Sequence, residues 1–208
     1  MEVKKAALTW GPALMGGFVW SFAKYPEKLR WATNIYGKSF SLMSIAYENW
    51  TKIEGYGEAL DAALDEIRTP PGQVLDVATG TGFVATRVAR RFPDATIRGV
   101  DITPEMVAIA QHQAVADGLL IDFQKADSAA LPFDADEFDL VILQNSIVYP
   151  EEMLRVVRKG GRVVVVYSFA GPWVQMAWPE LARRFEQGGA EYVWGNRAGS
   201  GFFGVARK

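Results

Sequence analysis

Three acidic residues and a pair of glycines stand where short apolar runs end. Asp76 lies in Val74-Leu75-Asp76-Val77 and is followed by Ala78-Thr79-Gly80-Thr81-Gly82; Asp101 closes a second run, and Asp127-Ser128 precedes Leu131-Pro132-Phe133. Glycines between a buried strand and a helix let the backbone approach a nucleotide closely, and an acid about twenty residues later accepts ribose hydroxyls. Gly80-x-Gly82-x-x-Ala85 also fits a relaxed dinucleotide fingerprint, so the glycines alone do not choose the ligand. Asp76 does: a carboxylate facing the space over the turn repels a pyrophosphate and attracts a cation. Thr103 and Pro104 read as N-cap and first residue of the next helix, which leaves Asp101 free for a ribose.

These residues need a parallel sheet to bring them together. Strands are expected at 73–78, 96–101, 121–125, 138–144 and 161–167, alternating with helices at 83–91, 104–117 and 151–157, the pattern of a sheet with helices on both faces. A helix over about 173–187 follows, then strands at 190–194 and 201–207 joined by Gly195-Asn196-Arg197-Ala198-Gly199-Ser200. Residues 1–71 differ in texture: Trp10, Trp20, Trp31 and Trp50 lie among two or three expected helices, broken by Gly11-Pro12, Gly16-Gly17 and Gly37. They read as a cap over the site, with Thr69-Pro70-Pro71-Gly72 as the hinge to a core of 72–208.

Residues 72–168 resemble the class I S-adenosylmethionine-dependent methyltransferases, specifically the small-molecule branch related to the ubiquinone and menaquinone C-methyltransferases. The resemblance implies a seven-stranded, Rossmann-like, mostly parallel sheet with an antiparallel last strand formed by Phe202-Phe203-Gly204-Val205-Ala206. It implies S-adenosylmethionine as cofactor, held by Asp76, Ala78, Gly80 and Gly82 at the turn and by Asp101 on the ribose. Ile102 and Met106 are then expected near the adenine, with Asp127 on its exocyclic amine, Ser128 giving a backbone contact, and Asn145 on the methionine moiety or the substrate. Ala78 departs from the family, which often has glycine there. The amino-methylating signature Asn/Asp-Pro-Pro-Tyr/Phe is missing after the fourth strand, where Gln144-Asn145-Ser146 stands.

Composition narrows the chemistry further. Absence of cysteine excludes thiolate catalysis, disulfides and cysteine-ligated metal, and fits a cytoplasmic location; the lone His112 leaves no histidine-rich metal site, and no metal is expected. The net charge of −2 conceals an acidic middle, 6 basic and 16 acidic residues over 60–154, and a basic end, 9 and 3 over 155–208. The basic residues are scattered without an aromatic stripe, so no nucleic-acid partner is expected. Leu8 to Ala23 is too short and interrupted to span a membrane, but its aromatics and nearby lysines suit either a lipid surface or packing against the core. Displacement at a methyl sulfonium needs no acid, and no general base or other catalytic residue is identified; Tyr36, Tyr47, Trp50, Tyr149 and Trp173 are candidates for the substrate chamber. The leading expectation is methyl transfer to a small, apolar or amphipathic acceptor. Two alternatives remain: an NAD(P)-dependent oxidoreductase using the same glycines and Asp101, or a non-catalytic cofactor-binding or membrane-surface partner protein.

Overall fold

The structure, a computed structural model, describes Ser21, Lys24, Leu29 and residues 51–208, with the backbone alone for residues 172, 173 and 175. Its elements run α1 (Glu58–Asp65), β1 (Gln73–Val77), α2 (Phe83–Arg91), β2 (Thr96–Asp101), α3 (Pro104–Ala116), β3 (Ile121–Lys125), β4 (Phe138–Gln144), α4 (Pro150–Val156), β5 (Val157–Tyr167), α5 (Pro172–Gln187), β6 (Tyr192–Ala198) and β7 (Gly201–Arg207). The strands form one sheet in the order β3-β2-β1-β4-β5-β7-β6. β1 to β5 pair in parallel and β7 inserts antiparallel between β5 and β6.

Each central strand is apolar on both sides because both faces of the sheet are covered. Val74, Leu140, Ile142, Val164 and Val166 meet Leu60, Leu64, Val84, Val88 and Ala110 from α1, α2 and α3. On the opposite face Leu75, Val77, Val141, Leu143, Val163 and Val165 meet Met153, Leu154, Leu181 and Phe185 from α4 and α5. The edge strand β6 is largely exposed and β3 alternates, as strands with only one covered side do. The order of strands reverses between β1 and β4, which places a crevice beyond their carboxyl ends.

Three expectations are corrected. Helix α1 lies within residues 1–71 but packs Ala59, Leu60, Ala63 and Leu64 into the sheet's own core, so these residues belong to the core layer rather than to a cap. Gly195 is not part of a long turn: β6 continues to Ala198, which pairs with Gly201 across Gly199-Ser200. A Cβ at Gly195 would overlap the Phe202 ring and crowd the Trp178 indole, and one at Gly204 would overlap that indole, so these glycines admit aromatic rings instead of bending the chain. β5 begins at Val157, four residues earlier than expected, because Gly160 (φ 74°) and a register shift opposite β4 let the charged Arg158-Lys159 stay in the strand. The four tryptophans expected in the cap lie outside the described residues. Among the described residues no helix is long and apolar enough to cross a membrane.

Candidate active site

The turn after β1 is built by three left-handed residues within five: Ala78 (φ 56°), Gly80 (φ 55°) and Gly82 (φ 85°). It is fastened by Thr79 N–H to the Val100 carbonyl (2.8 Å), Gly82 N–H to the Thr79 carbonyl (2.9 Å) and Gly80 N–H to Asp101 Oδ2 (2.9 Å). Gly82 is the N-cap of α2 and has no side chain to bond the helix's open N–H groups. Asp76 does so from below, its Oδ2 accepting from Ala85 N–H (3.0 Å) and from the Thr79 hydroxyl (2.5 Å). Glycine would suit position 78 in this geometry better than Ala78, since a Cβ at φ 56° crowds the following carbonyl.

Asp76 therefore lies beneath the turn, 1% exposed, rather than displayed over it as the sequence suggests. Strand alternation sends its side chain to the face where α2 begins. Its second oxygen, Oδ1, is buried without a hydrogen-bond partner. Burial pushes its pKa up to about 7; the Thr79 and Ala85 hydrogen bonds pull down, and the neighbouring Asp101 charge pushes up. At neutral pH the free site carries only a fractional charge here, and a cation above the turn favours the ionised form.

Asp101 is 9% exposed and is not free of the protein: besides Gly80 N–H it takes Thr103 N–H on Oδ1 (2.9 Å). Thr103, expected to cap α3 with its own side chain, makes no such bond, and the strand-end aspartate engages its N–H instead. Burial raises the Asp101 pKa, against the hydrogen bonds from Thr103 and Gly80. Each carboxylate oxygen keeps a second lone pair, so the group can still accept from a ribose diol held against the turn.

The remaining expected residues divide between the crevice and the protein's own framework. Asp127 and Ser128 are half-buried in the loop after β3, where Asp127 Oδ1 accepts Ala129 N–H (2.9 Å). Ile102 is half-buried at the end of β2; Met106 on α3 is 2% exposed and packs inside. Asn145 follows β4 in the left-handed region (φ 54°). Its amide donates to Tyr56 Oη (3.1 Å) and Ser168 Oγ (2.9 Å), and its Oδ1 accepts Ser168 N–H (2.9 Å). Both amide hydrogens are thus used within the protein, so the side chain braces the strand ends rather than offering a donor to a ligand.

Thr79, Tyr56, Gln144 and Ser168 are site residues that the motifs do not reveal. Gln144 donates to Ser168 Oγ (2.6 Å), while its Oε1 is buried without a hydrogen-bond partner. The parallel register, Gln144 opposite Val166, is the signal that could have placed Ser168 beside Asn145. Tyr56, 89 residues from Asn145 in sequence, carries none. Its ring meets Phe83 edge-on (centroids 5.0 Å) and Phe169 (6.0 Å), forming an aromatic wall beside the polar cluster. Tyr149 is buried with Ile147, against which Leu29 and Ala129 pack, which makes it a packing residue. Tyr36, Tyr47 and Trp50 lie outside the described residues, as does the Trp173 side chain.

Residues 74–165 match a family model described as a methyltransferase domain. A demethylmenaquinone methyltransferase from Thermus thermophilus is 36% identical over 141 residues, 61% of this chain and 63% of that protein. A ubiquinone/menaquinone biosynthesis C-methyltransferase from Geotalea daltonii is 37% identical over 113 residues, 50% of this chain and 48% of its own length. The chain thus spans between about half and two thirds of these relatives, and they lend the nicotinamide alternative no support. The crystal structure of a SAM-dependent methyltransferase from Aquifex aeolicus, 18% identical, superposes with a TM-score of 0.62 over 77% of this chain and 96% of that one. The glycine turn, the strand-end acids and this sheet order thus go with a chain that is similar to S-adenosylmethionine-dependent methyltransferases and carries a match to a methyltransferase domain over residues 74–165.

Proposed function

We propose that this protein transfers a methyl group from S-adenosylmethionine to a small apolar or amphipathic acceptor by direct displacement. The observation that carries the reading is the turn itself: Gly80 N–H is fixed on the Asp101 carboxylate, with a second acid, Asp76, beneath it. The residues fit the cofactor's chemistry. Gly80 and Gly82 allow close backbone approach, Asp101 takes the ribose hydroxyls, Ile102 lies along the adenine, and Asp127 with the Ser128 backbone reads its edge. Buried Asp76 Oδ1, lacking a partner, turns the turn's surroundings toward positive charge. Ala78 shapes the approach to the methionine moiety, Asn145 holds the strand end that flanks it, and Met106 supports the adenine wall from within α3.

When bound, the cofactor supplies a methyl on a sulfonium whose departure as a neutral thioether needs no acid. The protein's share is alignment and exclusion of water, for which effective molarities reach about 10⁵ to 10⁸ M. Tyr56, Phe83 and Phe169 furnish an apolar wall, and Gln144, Asn145 and Ser168 hold it in place without a base. The quinone-related names of the relatives support an apolar ring as acceptor. Leu29, seated against Ile147 and Tyr149, is in keeping with a cap over the site. Calorimetry with S-adenosylmethionine and S-adenosylhomocysteine tests the donor, and radiolabelled methyl transfer to hydroquinones tests the acceptor. Absence of binding by both nucleosides at millimolar concentration would sink the reading.

A further inference from the structure

The loop that carries Asp127 has no ladder of its own to hold it. Pro132 lacks an N–H, and Leu131, 5% exposed, is buried beside an irregular backbone whose polar groups need partners. One end of the loop is tied where Ala126 N–H meets the Asp101 carbonyl (2.9 Å), and Ala130 N–H then turns back onto the Asp127 carbonyl (3.0 Å). The other end is tied by two side chains of α4. Glu152 Oε1 accepts Leu131 N–H (2.6 Å); Arg155 donates to the Leu131 carbonyl (2.9 Å) and the Phe133 carbonyl (2.8 Å). The two side chains also lock each other in a bidentate pair, Nε to Oε2 at 2.8 Å and Nη2 to Oε1 at 2.7 Å.

We propose that Glu152 and Arg155 are positioning residues for adenine recognition: they fix the Asp127–Ala130 turn through Leu131 and Phe133, and so set where Asp127 meets the exocyclic amine. This rests on the methyl-donor reading above. The planar guanidinium spans both carbonyls and the carboxylate at once, which an ammonium cannot do. The Arg155 hydrogen bond holds the Glu152 carboxyl below its ordinary range, so the pair is ionised throughout the working pH. A second clamp acts further along: the Arg98 guanidinium lies over the Phe133 and Phe138 rings (5.5 and 5.3 Å), and Glu137 accepts Asp134 N–H (3.1 Å). With Phe133 held independently, loss of Arg155 loosens the Asp127 side of the loop more than its far side.

The test compares S-adenosylhomocysteine with S-inosylhomocysteine, which carries a carbonyl in place of the amine, by calorimetry on the full chain. Wild-type protein is expected to favour the adenosyl compound at least tenfold. Arg155→Met should weaken that compound about tenfold and change the inosyl compound less than twofold, as should Asp127→Ala; the double variant should be no weaker than either single one. Arg155→Lys should recover part of the preference. Equal weakening of both ligands, or an undiminished preference in Arg155→Met, would reduce the pair to a structural staple and overturn the proposal. Should Arg155→Met not fold, Glu152→Gln keeps an acceptor for Leu131 while weakening the bidentate pair; a roughly threefold drop in preference is expected, and full preference overturns the proposal. Wild-type protein that binds neither compound refutes the methyl donor itself, whereas one that binds both alike leaves no adenine reading to position.

Discussion

The carboxyl ends of β1 and β2 and those of β4 and β5 border one crevice but are built from opposite materials. At β1 and β2 two buried carboxylates are met by backbone N–H groups of Gly80, Ala85 and Thr103. At β4 and β5 neutral amides and hydroxyls, Gln144, Asn145, Ser168 and Tyr56, bond mainly to one another. Each end keeps one buried oxygen unpartnered, on Asp76 and on Gln144. A carboxylate oxygen answers a cation, while an amide oxygen answers a neutral donor. Under the proposed function, the contrast suits the charged donor at the first end and a neutral acceptor at the second.

Removing charge from the first end has the largest expected consequence. Asp101→Ala deletes the acceptor of two protein N–H groups and of the proposed ribose contacts. At about 1.5 to 3 kcal/mol for a hydrogen bond to a charged group, S-adenosylhomocysteine affinity should fall at least about 100-fold. Thermal unfolding should also move to lower temperature, because Gly80 and Thr103 N–H groups lose their partner. Unchanged affinity in a folded variant would remove the charged end from the donor site.

Asp76 yields a prediction in pH. Its folded pKa, about 7, lies above the unfolded carboxylate value, so stability of the free protein falls as pH rises from about 4 to about 7 and levels off above. Buried Asp101, shifted in the same direction, adds to that slope. A cation bound over the turn favours ionised Asp76, so affinity for S-adenosylmethionine should rise with pH through the same window, about tenfold per unit of pKa lowered on binding. Binding near pH 6.5 should then release protons, seen as heats that depend on buffer ionisation enthalpy. Asp76→Asn should flatten the affinity profile and lessen the fall in stability; a profile identical to wild type would assign the titration elsewhere.

The same contrast explains what the sequence discloses. Charged positions sit at strand ends, fixed by a short glycine turn and an acid about twenty residues on, and local spacing makes them visible. Their hydrogen bonding is hidden, because whether Asp101 or Thr103 serves the α3 N-terminus depends on where Gly80 comes to lie. The neutral end is assembled across 23 to 89 residues by the pairing of β4 with β5 and by the segment before α1, so neither Ser168 nor Tyr56 announces itself. Gly195 misleads for a related reason: glycine marks a turn and a close approach alike, and only the positions of Phe202 and Trp178 decide between them.

Two substitutions to glycine sharpen the comparison, since Ala78 and Asn145 occupy the same left-handed region at φ 56° and 54°. Relief of the Cβ clash favours glycine at both by about 1 to 2 kcal/mol for alanine and less for asparagine, which tolerates this region. Glycine's greater freedom in the unfolded chain opposes by about 0.4 to 1 kcal/mol. Asn145→Gly also forfeits three hydrogen bonds to Tyr56 and Ser168. At about 1 kcal/mol each, this variant should lose about 2 kcal/mol in denaturant unfolding. Ala78 has only a methyl to lose, so Ala78→Gly should gain about 0.5 kcal/mol, a rise in melting temperature of about 1 to 2 °C for a domain of this size. Opposite signs at one backbone geometry mean that the first end is organised by its main chain and the second by its side chains; a loss of stability in Ala78→Gly would show that the methyl packs against the turn and that side chains organise both ends.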